Sequence, residues 1–416
     1  MNKKLVAAAL GLAFAAPVFA DASNVTVYGR VHQAVVNQKY DGANGVASGS
    51  NVALENYASR LGVRGVEDLG GGLAAIFAYE LAISTDNSTA SGLSAARHSY
   101  LGFKDSAWGT FVAGTQDGGN DSQAPLYNQA QTFLGTVNNN AGDFATVGAT
   151  GVLPSLTSSV STVNNPTTTT VVNTVGGLVP ASAINREQRT SNSFGYAGNI
   201  AGVAVSVRHA LGGTNDVQNS VGGIRENDLR STEVAANYKV GALEIGGGYQ
   251  RLDRSAGQQT AATAAGVTSV KSVFQLGSKY TYGDLTVGGL LAQVKLEQPT
   301  AAGRDDKNSQ FGLHGDYKIG KGGVYAFYAK AEREDIAANA ETSQAQLAYY
   351  YDLSKRTRLY TGFNRTRFDA GNGVAASTSA STSTATGVTT TTNVAAVASG
   401  LNRDADSFVV GVRHNF

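Results

Sequence analysis

The sequence predicts a closed antiparallel β-barrel of sixteen strands that crosses a membrane. Three observations carry this. Short runs alternate apolar and polar residues along most of the chain, and a period of two belongs to strands with one face in each environment. The connections between the runs alternate as well, tight and then long. The chain opens with an export signal rather than a membrane anchor.

The signal comes first. Lys3 and Lys4 precede an apolar run from Leu5 to Ala16, and Val18-Phe19-Ala20 puts short residues before a cut. This pattern predicts a signal peptide over residues 1–20 and a barrel over 21–416. The run is shorter than the ~20 apolar residues of a spanning helix. Composition agrees. Only 15% of residues are charged, against roughly 25% in ordinary soluble domains. Mean hydropathy is −0.14, which excludes a bundle of membrane helices. With 32 basic and 31 acidic residues the chain has no surplus for nucleic acid. It has no cysteine, which excludes disulfides, thiolate metal sites and a thiol nucleophile.

The alternating runs lie near 24–37, 56–66, 72–82, 97–104, 109–116, 190–198, 202–210, 230–240, 242–252, 271–281, 284–297, 308–318, 322–333, 342–352, 356–368 and 405–416. In the first, Val25, Val27, Gly29 and Val31 share one face, and Thr26, Tyr28 and Arg30 the other. Tight turns include Val240-Gly241 and Tyr282-Gly283. Long connections include 38–55, 83–96, 117–189 and 369–404. A short–long rhythm gathers turns on one rim and loops on the other, and an even strand number returns both termini to the turn rim. A soluble sandwich would need a dry core. Here the polar faces carry Arg, Glu, Asp and Gln, and a sixteen-strand barrel is wide enough to hold water inside. Polar-in and apolar-out is then the stable orientation, and closure satisfies every backbone group in lipid. Eighteen tyrosines suit the membrane interfaces.

Two stretches, Phe144–Asn185 and Ala370–Asn402, have no charged residue and are rich in Thr, Ser, Val, Ala and Asn. Such composition suits either a flexible loop tip or an extra hairpin outside the membrane.

Specific segments resemble a known family. Val25-Thr26-Val27-Tyr28-Gly29-Arg30, Ser59-Arg60-Leu61-Gly62-Val63-Arg64-Gly65-Val66-Glu67-Asp68-Leu69-Gly70-Gly71-Gly72-Leu73 and Arg97-His98-Ser99-Tyr100-Leu101-Gly102-Phe103 resemble early strands of the β-proteobacterial and neisserial trimeric general diffusion porins. Trp108-Gly109-Thr110-Phe111-Val112-Ala113-Gly114, Tyr350-Tyr351-Asp352-Leu353-Ser354-Lys355-Arg356-Thr357 and Val410-Gly411-Val412-Arg413-His414-Asn415-Phe416 extend the likeness to the last strand. The resemblance implies a homotrimer in the Gram-negative outer membrane, in contact with its lipid and lipopolysaccharide. It implies a terminal Phe416 read by the outer-membrane assembly machinery, and a third long loop, here 117–189, that folds into the pore.

A pore needs a constriction whose charges set selectivity. By the resemblance, Arg60 and Arg97 line the wall opposite the inward loop. By alternation, Arg30 and Arg64 share that lumen face. Asp117, Asp121 and Asp143 are the loop's candidates for the opposing charge. Arg64, Arg358 and Arg413 equally suit neighbour-paired lumen residues. Thr115 stands where relatives often carry an arginine, so the resemblance fixes no sign of ion preference. Phe408, Val410, Val412 and Phe416 should form the outward face of the last strand, which with the first strands and loop 83–96 would make the trimer contact.

No H-E-x-x-H, G-x-S-x-G or Walker A pattern occurs, and His32, His98, His209, His314 and His414 stand singly. The sequence therefore points to no enzyme, metal or cofactor. The expected function is passive diffusion of small hydrophilic solutes and ions. A substrate-specific channel for sugars or organic acids is the alternative, expected to show an aromatic ladder or a track of like charges down one wall. A barrel-anchored adhesin is the third.

Overall fold

A computed structural model describes residues 24–40, 49–57, 59–83, 93–117, 125–134, 163–165, 168–173, 189–211, 220–221, 224–225, 230–253, 269–297, 306–334, 339–369, 377–382, 389–394 and 402–416. The expected signal peptide, most of loop 83–96, and Asp121 and Asp143 lie outside them.

Sixteen wall strands run in sequence order. They are β1 (Asn24–Tyr40), β2 in two stretches (Gly49–Asn56 and Arg60–Gly70), β3 (Leu73–Ile83), β4 (Leu93–Asp105), β5 (Gly109–Asp117) and β6 (Arg189–Ile200). Then come β7 (Val203–Ala210), β8 (Arg230–Val240), β9 (Leu243–Asp253), β10 (Ser269–Tyr282) and β11 (Leu285–Glu297). The wall ends with β12 (Asp306–Ile319), β13 (Gly322–Glu334), β14 (Asn339–Asp352), β15 (Thr357–Asp369) and β16 (Asn402–Asn415). Each pairs antiparallel with its sequence neighbour. β16 returns to β1, with Arg30 opposite Asn415 and Val35 opposite Val410. Phe416 seals the ring: its N–H donates to the Gly29 carbonyl (3.1 Å) and Gly29 N–H to its carbonyl (3.0 Å). Its ring crosses the space a Cβ on Gly29 would fill. Among the described residues every wall strand is paired on both edges except Gly49–Asn56, which pairs with β1 alone, and such closure is what lipid requires.

The faces sort as the alternation demands. On β16, Phe408, Val410, Val412 and Phe416 are 51%, 52%, 41% and 45% exposed, while Ala405, Ser407, Val409 and Arg413 between them are buried. Leu276, Leu291, Leu313 and Leu347 stand outward on other strands. So continuous an apolar outer surface is stable only against lipid. Tyr238, Tyr280, Tyr282, Tyr317, Tyr349 and Tyr351 are exposed near the turn rim, where a ring body rests in lipid and its hydroxyl meets water.

The turn rim shows why the chain reverses there. Ala201 and Gly202 have φ of 52° and 86° between paired Ile200 and Val203, positive at both central residues as a type I′ hairpin needs.

Two features differ from expectation. The second strand, read as 56–66, begins at Gly49 and is interrupted around Tyr57 and Ser59. The two uncharged stretches, read as either flexible tips or an extra hairpin, contribute short strands to one small sheet. Thr168–Asn173 runs parallel to Thr389–Val394, with Thr392 opposite Val171.

Candidate functional site

The third long connection carries a helix, α1 (Pro125–Leu134). Pro125 opens it, where a missing N–H costs nothing. Leu126, Ala130, Phe133 and Leu134 then recur at helical spacing and are all buried. They lie on the lumen face of the wall. Leu126 meets Val273 and Val294. Ala130, Phe133 and Leu134 join a cluster with Leu290, Ala292, Tyr325 and Phe327. Within the third long connection the described helix is thus folded inward, as the resemblance implies.

The wall is shaped to take the helix. Gly248, Gly277 and Gly312 sit beneath it on β9, β10 and β12. A Cβ on them would come within 2.6 Å of Gln129 Oε1, 2.6 Å of Phe133 Cγ and 2.9 Å of Leu134 Cδ2. Glycine there is a matter of space, since any side chain would lift the helix. Polar groups fix its position. Gln275 donates to the Leu126 carbonyl (2.8 Å) and to Gln129 Oε1 (2.9 Å). Gln129 donates to the Gly247 carbonyl and Asn237 Oδ1, both 2.7 Å. Tyr325 OH donates to the Leu134 carbonyl at the helix C-terminus (2.9 Å). At the N-terminus, Leu126 N–H points at Glu233 Oε2 (3.4 Å), a favourable place for a carboxylate. Glu233 is itself paired with Arg208, and both side chains are almost wholly buried.

The far wall is cationic. Arg30 on β1 stands directly opposite Arg60 on β2, and both alternate with the outward residues of their strands. Arg30 Nε donates to Asn415 Oδ1 (2.9 Å). Arg64 lies over the Tyr28 ring, 5.2 Å from its centre. Glu80 on β3, 3% exposed, ties two of the arginines together. Arg97 Nε lies 2.6 Å from Glu80 Oε1 and Arg60 Nε 3.7 Å from Oε2. A bulge makes this possible. Glu80 pairs with His98 and the next residue, Leu81, with Ala96, so Arg97 is the extra residue. Bulges re-aim side chains, and Arg97 and His98 are both buried in consequence. Arg97 therefore lies inside β4, four residues after its start, rather than at the beginning of the strand.

The cationic wall continues around the ring. Arg413 on β16 is opposite His32 on β1 and opposite Arg358 on β15. Arg358 is neighbour-paired, with Nε 2.6 Å and Nη2 2.8 Å from the two Asp352 oxygens. These arginines form a track around one side of the barrel, across β15, β16, β1, β2 and β4, with Asp352 and Glu80 paired among them.

Of the predicted residues, Arg30, Arg60, Arg64 and Arg97 are thus gathered on one side of the lumen. Asp117 ends β5 opposite Arg189 in register. α1 itself carries no charged residue. Glu80 lies on the polar face of its run, where alternation alone assigns it no partner, and the helix signal of Pro125 with Leu126, Ala130 and Phe133 is set within a long polar connection. The short Tyr349–Tyr351 run alternates faces, with Tyr350 buried and its neighbours exposed, and makes no aromatic ladder.

Comparisons with known proteins agree with this architecture. An outer membrane porin protein 32 of Delftia acidovorans is 27% identical over 364 residues, covering 86% of this chain and 88% of that one. An outer membrane porin protein of Bordetella pertussis is 26% identical over 407 residues, covering 86% and 93%. The solved anion-selective porin from Comamonas acidovorans superposes with a TM-score of 0.60 at 22% identity, covering 95% of this chain and all of that one. A family model described as Gram-negative porin matches residues 6–372, and with a closed sixteen-strand wall and a helix folded inside it the chain belongs to the Gram-negative porin family.

Proposed function

We propose that this outer-membrane porin is a general diffusion channel for small hydrophilic solutes and ions, with a constriction between α1 and the arginine wall. The observation that carries it is the pairing of an uncharged inward helix with a facing wall that holds Arg30, Arg60, Arg64 and Arg97 against Glu80. A polar, water-filled gap favours hydrated solutes over apolar ones, and fixed charge decides among ions. The positive excess makes anions the favoured ions. Asp117 and Asp121 complete the proposed constriction at the root of the inward loop.

We read the active form as a homotrimer joined through β1, β2, β16 and loop 83–96. The outward residues Val35, Val52, Leu54, Phe408 and Val410 offer the apolar contact. Lipopolysaccharide around this trimer and recognition of Phe416 by the assembly machinery belong to the same reading, as does the absence of catalysis. The test is single-channel recording in a planar bilayer under a salt gradient. Large ohmic steps that close in thirds, with an anion-side reversal potential, are expected. Absence of conductance from a folded barrel refutes the reading.

The arginine track favours one second reading, a channel specific for organic acids. Small steps blocked by carboxylates, and by no neutral solute of equal size, would decide for it.

A further inference from the structure

The arginine track ends at the turn rim in a recess that the diffusion reading does not use. A cavity of about 590 Å³ opens there between the ends of β12 to β16. Its lining includes Lys318, Lys321, Lys355, Arg356, Arg358 and Arg413, with Asp352 as the carboxylate among them. We propose that this recess is a binding site for compact oxyanions carrying two or more negative charges, placed at the periplasmic mouth of the pore.

Three features support an anion rather than a merely solvated rim. Arg358 and Arg413 are directly opposite on neighbouring strands. Like charges so placed repel one another, and an anion between them reverses the sign of that interaction. The Arg358 guanidinium is preorganised, held by both Asp352 oxygens and resting over the Tyr350 ring, 4.0 Å from its centre. Tyr350 is fixed in turn by its hydrogen bond to Asp316 Oδ1 (2.9 Å). A guanidinium held flat in this way has its orientation fixed before any oxyanion arrives. Finally, the two turns add Lys321, Lys355 and Arg356 around the opening, all exposed, so one concavity gathers cations from two turns as well as from the strands.

The recess is lined by other residues than Arg30, Arg60, Arg64 and Arg97, and meets them only through Asn415, which accepts from Arg30. It rests on the proposed open lumen only for access, and binding is readable without any conduction. The probe is inorganic phosphate, titrated calorimetrically into the full-length protein folded in detergent, against chloride at equal ionic strength. Saturable binding is expected. K321Q/K355Q/R356Q, confined to exposed turn residues, should weaken it about ten-fold, three screened rim charges together. R60A/R97A should leave it within about two-fold, because neither residue lines the recess and exposed charges are screened at moderate salt. Absence of saturable binding to the wild type overturns the proposal. So does a triple variant that binds as tightly as wild type, or loss in R60A/R97A with retention in the triple variant, which would move the anion to the eyelet.

Discussion

Glu80 sets how strongly the proposed eyelet discriminates between ions, and one substitution isolates its charge. It lies 2.6 Å from Arg97 Nε and 3.7 Å from Arg60 Nε. Glu80→Gln keeps the volume and an acceptor oxygen for Arg97 while removing the negative charge. The wall then changes from four arginines against one carboxylate to four arginines alone. A unit charge about 8 Å from the solute path acts with ~0.5 kcal/mol through water and ~2 kcal/mol at an effective dielectric of 20. A water-filled lumen selects the lower figure. An anion gains this amount and a cation loses it, so their permeability ratio should rise roughly five-fold. The assay is the reversal potential of reconstituted channels under a potassium chloride gradient at low salt, where screening is weakest. The expected result is a shift toward the anion potential that shrinks as salt is raised. A reversal potential that stays where it was, or moves toward cations, would refute the placing of Glu80 beside the ion path.

Four further outcomes follow from named contacts. R60A/R97A should move the ion preference toward cations, read as the opposite shift in reversal potential; an unchanged value would count against both residues. Gly277→Val puts side-chain atoms where Phe133 and Leu290 already stand, at a cost of about 1–3 kcal/mol, and should loosen α1. Noisier open-channel current and faster protease cutting within 117–189 would show it, whereas wild-type behaviour would mean that the helix does not press on that glycine. Glu233→Ala leaves Arg208 buried without its partner and should cost about 3–5 kcal/mol, while R208M/E233L should recover most of that; equal urea midpoints for the single and double variants would contradict it. Deleting Phe416 removes the two backbone bonds to Gly29 and should lower the folded fraction on a heat-modifiable gel, and an unaltered yield would argue against its sealing role.

Most of the wall was legible because its causes are local. Alternation such as Val25, Val27, Gly29 against Thr26, Tyr28, Arg30 reports a two-sided environment residue by residue, and Gly at positions such as 202 marks where the chain must reverse. The early half of β2 escaped because its outward apolar residues are only Val52 and Leu54, too few to establish a period. α1 escaped for a different reason. Its ten residues are individually unremarkable, and what holds them is a seat of Gly248, Gly277 and Gly312 contributed by three strands far away in sequence. Arg97 was placed in the lumen by resemblance alone. The reason it points there is the bulge at Ala96–His98, which breaks the alternation and so hides from any periodic reading.

The opposed walls expected from sequence were a positive barrel face and a negative loop. Among the described residues the negative charge nearest the arginines comes from the barrel itself, since Glu80 stands within the cluster and α1 brings none. The difference matters for how selectivity is kept. A field made between a loop and a wall changes whenever the loop moves. A field made within one hydrogen-bonded wall does not, because Arg60, Glu80 and Arg97 are fixed relative to each other by the β2–β3 and β3–β4 ladders. On the proposed reading α1 itself, which carries no charge, narrows the passage sterically, and its glycine seat and glutamine ties serve position. On this division, variants that loosen α1 should change conductance far more than ion preference, and variants of the arginine wall should do the reverse.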